Sequence, residues 1–357
     1  MRRILFYAVN GLGLGHVTRL LAIARKVRRL EPETEILFVT SSEADGVIYR
    51  EGFAAIKVPS KTIRKTAGLS HGTYVQTVQS VVWSAVAAFR PDTIVVDTFP
   101  TGSLQELLPL LSWNARKVFV YREQREEAAK SALFQSSLKL YDVVIVPHDR
   151  GEAAPILPEG LCPTFVGPVL IRDRAEILPR QDARARLQLS ASSVAAYATF
   201  GGGGDPEIER VFGIVDEIAT TASTVDVRYS VGPLERQRRT AGAAKPIADL
   251  FPAMETFAAF DFAIASAGYN TVHEILHAGV PAVFIPFRRG LDDQELRAER
   301  VAAAGAGIAL CDPSRESLAE AWSRIADPRA RAQIADAALS FVPRNGAENA
   351  ARAIIEL

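Results

Sequence analysis

Two doubly wound α/β halves facing an intervening cleft are the architecture this sequence predicts, and three observations lead to it. The chain has 357 residues, more than one domain of the usual ~100–200 residues holds. Short runs that are apolar throughout recur along its length, and segments with apolar residues at helical spacing lie between most of them. Strands without a polar face, joined by helices, indicate a parallel sheet covered on both sides.

Residues 3–9 (RILFYAV) read as a first strand, followed by a glycine-rich turn and then by Val17, Leu20, Leu21, Ala24 and Val27 on one helix face. Further strands are expected at 35–40, 54–58, 93–97, 117–121 and 143–147. Around Val166, Gly167, Pro168 and Val169 a turn-rich segment interrupts the alternation, and Pro179 precedes a new helix. This places the domains at 1–168 and 169–357. In the second, strands are expected at 193–200, 225–231, 262–267, 282–287 and 307–310. Helical segments close the chain, and the last of them could cross back to the first domain.

Composition narrows the function classes. With 48% hydrophobic and 23% charged residues, and with glycine and proline scattered, the chain is neither disordered nor of low complexity. Lysine plus arginine equals aspartate plus glutamate at 41 each, so no overall field draws the protein to nucleic acid. Cys162 and Cys311 are too few and too far apart for a disulfide framework, which fits a cytoplasmic location. The start lacks the cleavage site of a signal peptide, and no run approaches the ~20 apolar residues that cross a bilayer. The first thirty residues carry seven Arg or Lys and no acid, mostly on the first helix. That run reads as a solvated face or as a patch for peripheral attachment to the inner face of an anionic membrane.

Three glycine loops each join a strand to a helix. The first holds Gly11, Gly13, Gly15 and His16. A dinucleotide site of the form G-x-G-x-x-G needs glycine where His16 stands, and the second strand ends in Thr40, Ser41 and Ser42 where an acidic ribose ligand is required, so NAD is rejected. A tight turn explains glycines. It does not explain an imidazole at a helix start on the carboxyl edge of a parallel sheet, where ligands of such folds bind. The second loop, Gly201 to Gly204, precedes a helix near Pro206 and offers unpaired main-chain N–H groups to an anion. The third runs Ser266, Ala267, Gly268, Tyr269, Asn270, Thr271, Val272, His273, Glu274. Its small residues let a phosphate approach, and Glu274 can accept hydrogen bonds from two vicinal hydroxyls. Asp292, Asp293, Gln294 and Arg297 open a later helix. Asp293 and Gln294 could bond sugar hydroxyls, and the competing role is N-cap chemistry.

Residues 273–277 (HEILH) match the zinc-peptidase pattern H-E-x-x-H. Ala278, Gly279, Val280 and Pro281 end that helix at once, no further ligating histidine follows, and the motif lies inside a βαβ unit. His273 and His277 are therefore read as helix residues near a polar cleft, with no metal expected.

Together, G-L-G-H-x-x-R at 13–19, S-A-G-Y-N-T-x-x-E at 266–274, A-G-V-P at 278–281, D-Q-x-x-R-A at 293–298 and the segment 96–102 (VDTFPTG) resemble GT-B glycosyltransferases of the family 28 type. The resemblance covers most of the chain and implies two Rossmann-like domains, the first for an acceptor and the second for a nucleotide-sugar donor. On that basis Glu274 holds the ribose hydroxyls, and Gly268 with its helix start holds the diphosphate, beside Ser266, Asn270 and Thr271. Gly201, Gly202 and Gly203 face the phosphates, Gln294 with Asp293 holds the donor sugar, and the stretch from Phe251 to Met254 lies against the base, taken as uracil. His16 matches the histidine of the family's first loop, and Gly13, Gly15, Arg19, Thr98 and His71 are acceptor-side candidates. There are departures. The family's peptidoglycan enzymes have arginine and serine where this chain has Ser266 and Ala267, which removes a cation from the diphosphate site.

The implied reaction is inverting, metal-independent transfer from a UDP-linked sugar to a hydroxyl of a small-molecule or lipid-linked acceptor, with no cofactor. The acceptor hydroxyl loses its proton as it attacks the anomeric carbon, and an imidazole with an ordinary pKa of ~6.5 is suited to take it. His16 is the first choice for that base, and Asp97 is the second choice or its orienting partner. No D-x-D metal motif occurs in the chain. The segment from Ser60 to Tyr74, with Lys61, Arg64, Lys65 and His71, is long for a connection and reads as an acceptor lid or a solvated loop. Two rivals stay open: a nucleotide-sugar hydrolase in which His16 activates water, and a non-catalytic nucleotide-sugar-binding protein.

Overall fold

The computed structural model describes residues 1–9, 13–201, 206–222, 224–230, 242–248, 250–288 and 292–356. The chain divides into two compact units, Met1–Leu170 with Gly346–Leu357, and Ile171–Asn345.

In unit 1 seven strands form one parallel sheet: β1 (Arg3–Ala8), β2 (Glu35–Thr40), β3 (Ala54–Lys57), β4 (Thr93–Asp97), β5 (Arg116–Val120), β6 (Val143–Val146) and β7 (Pro163–Phe165). Their order is β3-β2-β1-β4-β5-β6-β7. Ile4 to Ala8 of β1 are at most 1% exposed, the burial on both faces that its unbroken apolar run implies. From β1 the chain builds outward through β2 and β3, then returns and builds the other way from β4. The loops after β1 and β4 therefore part at the carboxyl edge, the switch point where such sheets hold ligands. β7 is a three-residue edge strand without a hydrophobic run, so the sequence gives no sign of it.

The helix Gly15–Leu30 buries Val17, Leu20, Leu21, Ala24 and Val27. Its basic run is not an open cationic face. Arg2 pairs with Glu31 at 3.1 Å, Arg25 with Glu51 at 3.1 Å, and Arg29 with Glu348. Arg28 lies 4.0 Å from the Phe53 ring centroid and donates to the Glu51 and Gly52 carbonyls, while Lys26 is buried. Arg28 and Arg29 are exposed while so paired. No described helix is long and apolar enough to cross a membrane. The closing helix Ala347–Ile355 packs on Gly15–Leu30. Its entry needs Gly346, because a Cβ there would lie 2.4 Å from the Val166 and Gly167 carbonyl oxygens.

The segment from Ser60 to Tyr74 is not an irregular loop. Ser60 caps the helix Lys61–Thr66 through Ile63 N–H, and Ser70 caps His71–Phe89 through Thr73 N–H. Two short polar caps, each three residues before the N–H it accepts, were the sequence signal for this structure.

Unit 2 has six parallel strands: β8 (Val194–Thr199), β9 (Val225–Ser230), β10 (Lys245–Ile247), β11 (Phe262–Ser266), β12 (Ala282–Ile285) and β13 (Ile308–Ala309). Their order is β10-β9-β8-β11-β12-β13, so this sheet reverses between β8 and β11. Aromatic side chains fill one side of it: Phe200 meets Phe212 and Phe287, and Trp322 stands edge-on to Phe262 at 5.3 Å. The two parallel α/β units agree with the fold class the sequence predicts.

Candidate functional site

At the switch point of unit 1 the start of the helix that follows β1 and the last residue of β4 meet. His16, in the first turn of the Gly15–Leu30 helix, places Nδ1 3.1 Å from Asp97 Oδ2. Asp97 also lies 3.0 and 2.7 Å from Arg19 Nη2 through its two oxygens, and accepts from Thr98 Oγ1 at 2.9 Å. Burial alone would raise the Asp97 carboxyl, but Arg19, His16 and Thr98 outweigh it and hold its pKa at about 2. An ionised carboxylate only accepts hydrogen bonds, so it fixes the proton of neutral His16 on Nδ1 and leaves Nε2 with a free lone pair. Burial lowers the His16 pKa, Asp97 opposes that, and Arg19 and Arg122 add to the lowering. The imidazole is 17% exposed and packs 5.7 Å from the Phe99 ring. It is neutral near pH 7, oriented and accessible.

Thr98 holds φ at 65°, a left-handed conformation that a β-branched residue rarely adopts. Three hydrogen bonds keep it there: its N–H to Val120 O at 3.1 Å, its hydroxyl to Asp97, and its carbonyl from Gln124 Nε2 at 3.3 Å. Such strain, ~1–3 kcal/mol, persists only where the surroundings over-determine it.

The sequence reading puts Arg19 and Thr98 on the acceptor side. In the structure both are 1% exposed and turned onto Asp97, where they support the carboxylate. Gly13 and Gly15 are exposed at the helix start, with φ outside the left-handed region. Among the described residues no atom outside its chain neighbours and its own helix backbone lies within 4 Å of a Cβ built on Gly15. His71 is exposed in the first turn of its own helix and makes no described hydrogen bond to this cluster. Gly11, Gly202, Gly203 and Gly204 lie outside the described residues.

In unit 2 the switch point carries the third glycine loop. Gly268 is the N-cap residue of the helix Tyr269–His277, and a Cβ built on it would come within 3.9–4.0 Å of Gln294 Nε2, Ser266 Oγ and Thr271 Oγ1. Those polar groups therefore converge on one helix N-terminus, with Asn270 in its first turn. Gln294 is held by its amide: Oε1 accepts from Phe287 N–H at 3.0 Å, and Nε2 donates to Asp292 Oδ2 at 3.3 Å. Asp293 caps the following helix through Leu296 N–H at 3.2 Å, the N-cap role that competes with sugar binding. Gly201 follows β8 with φ at 95°.

Glu274 is half-buried; its carbonyl accepts from Ala278 N–H at 3.1 Å within the helix, and its carboxyl makes no side-chain ion pair or hydrogen bond found among the described residues. Burial pushes its carboxyl up to about 8, and the Arg172 guanidinium only partly offsets this. The Met254 side chain is fully buried, whereas Phe251 is half-buried. His273 donates from Nδ1 to Tyr269 O at 2.7 Å and His277 from Nδ1 to Val342 O at 2.9 Å. Among the described residues no group of three ligand-type side chains contains both histidines.

Sequence reasoning gave no role to Arg297, which it named in a motif, and missed Glu106. Arg297 is buried and ties Ala267 O at 2.8 Å to Asp292 at 2.8 Å, joining the ends of two loops. Glu106, fully buried, accepts from the Tyr7 hydroxyl and from Ser103 and Leu104 N–H at 3.2 and 2.7 Å, and shapes the loop after β4. An acid in a loop looks solvated in sequence; only the fold reveals the donors around it.

Residues 209–354 match the model of the glycosyltransferase family 28 C-terminal domain. The chain is similar to a UDP-N-acetylglucosamine–N-acetylmuramyl-(pentapeptide) pyrophosphoryl-undecaprenol N-acetylglucosamine transferase of Clavibacter michiganensis, 31% identical over 49% of this chain and 48% of the relative. It thus spans about half the length of that relative. A protein of the same description from a Nocardioides species is 25% identical over 96% of this chain and 95% of its own. Among solved structures, MurG of Acinetobacter baumannii superposes with a TM-score of 0.63 over the full length of both chains at 13% identity, a likeness of fold. A glycosyltransferase family 28 C-terminal domain thus spans residues 209–354, and the parallel α/β units share the GT-B fold of the glycosyltransferase structures they resemble.

Proposed function

We propose that the chain is an inverting, metal-independent glycosyltransferase that moves a sugar from a UDP-linked donor to an acceptor hydroxyl. The observation that carries the reading is the His16–Asp97 pair: an oriented, neutral imidazole with a free Nε2, in a chain whose second unit is a family 28 domain. The family's relatives are named for transfer from a UDP-sugar to a pyrophosphoryl-undecaprenol acceptor, which supports the donor class and makes a lipid-linked acceptor the first to try.

Unit 1 supplies the base. His16 Nε2 takes the acceptor's proton as its oxygen attacks the anomeric carbon, and Asp97 stabilises the imidazolium that forms. A single displacement of this kind inverts the anomeric centre. Unit 2 holds the donor. Main-chain N–H groups at the Tyr269–His277 helix start meet the diphosphate, whose charge grows as the sugar leaves. Glu274 takes the ribose diol and Gln294 a sugar hydroxyl. The absence of a D-x-D pair in the sequence favours a site in which helix dipoles and amides, without a metal, carry the leaving-group charge.

The test is UDP release from a panel of UDP-sugars, with EDTA, with and without undecaprenyl-pyrophosphoryl and small-molecule acceptors. Acceptor-dependent release that His16→Ala abolishes supports transfer. Release and free sugar without any acceptor favour the hydrolase, and UDP binding without turnover favours a non-catalytic binder.

A further inference from the structure

Arg19 is placed to do more than anchor a carboxylate. Its Nη2 lies 3.0 and 2.7 Å from the two oxygens of Asp97 and 3.5 Å from Nδ1 of His16, so all three groups meet at one point. The guanidinium is 1% exposed and the Asp97 carboxylate is fully buried, which leaves little water between them to screen the charges. Arg19 and His16 are one helical turn apart on the Gly15–Leu30 helix, whereas Asp97 comes from the end of β4.

We propose that Arg19 is a positioning residue that sets the proton affinity of His16 by sharing Asp97 with it. A His–Asp pair alone favours the imidazolium, because the carboxylate is an uncompensated negative charge beside the ring. Here Arg19 neutralises that charge and sets its own positive charge beside the ring nitrogen. Both effects act against protonation. Asp97 still accepts the Nδ1–H and still orients the ring, so the geometry of the dyad is kept while its basicity is held down. The other charge facing the imidazole within unit 1 is Arg122, beyond β5, which acts in the same direction and more weakly than Arg19. The proton-accepting form is thereby dominant at neutral pH, which a His–Asp pair without the arginine would not provide.

This inference rests on the reading of His16 as the base, but its test does not. The chain has five histidines, and the His16 resonance is assigned by its loss in His16→Gln and then titrated by NMR in the intact protein. In Arg19→Gln, checked for folding by thermal melting, the His16 midpoint is expected to rise by about one pH unit or more, the scale on which a close charge acts. Arg19→Lys, which keeps the charge, is expected to stay nearer the wild-type midpoint. Should Arg19→Gln not fold, Asp97→Asn is the second arm: with the guanidinium unopposed, the His16 midpoint falls below that of the wild type. An unchanged midpoint in folded Arg19→Gln, or a rise in Asp97→Asn, overturns the proposal. If no nucleotide sugar is turned over but the midpoints move as stated, the transfer reading fails and this one stands. Where turnover is found, the acid limb of the rate profile in Arg19→Gln moves up by the same amount as the titration.

Discussion

His16 and Asp97 stand 81 positions apart in the chain and meet at 3.1 Å, because the loop after β1 and the end of β4 adjoin where the order of the first sheet reverses. The same topology in unit 2 brings the residues after β8 and β11 to its own reversal. Both sets of candidate residues therefore occupy the position at which open parallel sheets hold ligands.

Removing the base tests the pair first. His16→Ala is expected to lower kcat by ~10²–10⁴-fold, the range for a lost general base, with little change in donor KM. Asp97→Asn is expected to lower kcat too, since a neutral amide no longer fixes the tautomer or stabilises the imidazolium. Steady-state kinetics on folded variants decide it, and a loss confined to KM contradicts the role.

The pH dependence follows from the same groups. Asp97, at about 2, stays ionised throughout the working range, so the acid limb of kcat/KM belongs to His16. If His16 is the base proposed above, its pKa, lowered by burial from the ordinary value, keeps the rate flat through neutrality, with the acid limb below the ordinary imidazole range. An acid limb centred above pH 7 contradicts this.

Glu274 links binding to stability. Its carboxyl is raised to about 8, so the folded protein holds a proton that the unfolded chain releases near 4.5. Folding is therefore favoured below pH 4.5, relative to higher pH, and that share is lost progressively as pH rises to about 8. Glu274→Gln, which cannot ionise, is expected to melt at a higher temperature than wild type at pH 8, with a smaller difference at pH 5, while binding UDP more weakly. Melting curves at the two pH values check the sign.

Much of this was legible beforehand, and the exceptions have physical causes. The apolar runs announced β1, β4 and β6, because a strand buried on both faces has no polar position to break the pattern. β7 and β10 carry three residues each and left no such mark. His16 and Asp97 could be picked out as chemistry at the ends of strands, but their contact could not. The inward turn of Arg19 and Thr98 was hidden because arginine and threonine read as surface residues until a buried carboxylate is found beside them. The pairing of the first helix's cations was hidden for a related reason, since the acidic partners of Arg25 and Arg29 lie outside the run itself: Glu51 and Glu348.

The glycines separate fold from ligand. A Cβ at Gly268 would make only ordinary contacts, and at Gly15 none within 4 Å. Gly268→Ala and Gly15→Ala are therefore expected to melt within a few degrees of wild type, whereas Gly268→Ala loses donor affinity by crowding the phosphate. Gly102→Ala is the control. Its φ is 78° and its Cβ would lie 2.3 Å from the Glu106 carboxyl carbon, so that variant is expected to be destabilised.

Calorimetric titration of UDP into the wild type and Glu274→Ala, both in EDTA, tests the central claim most directly. One site per chain is predicted, with affinity at least tenfold weaker in the folded variant, since a carboxyl group hydrogen-bonded to the ribose diol contributes about 1.4 kcal/mol or more. No binding of UDP to the wild type, or equal affinity in the two proteins, would contradict it.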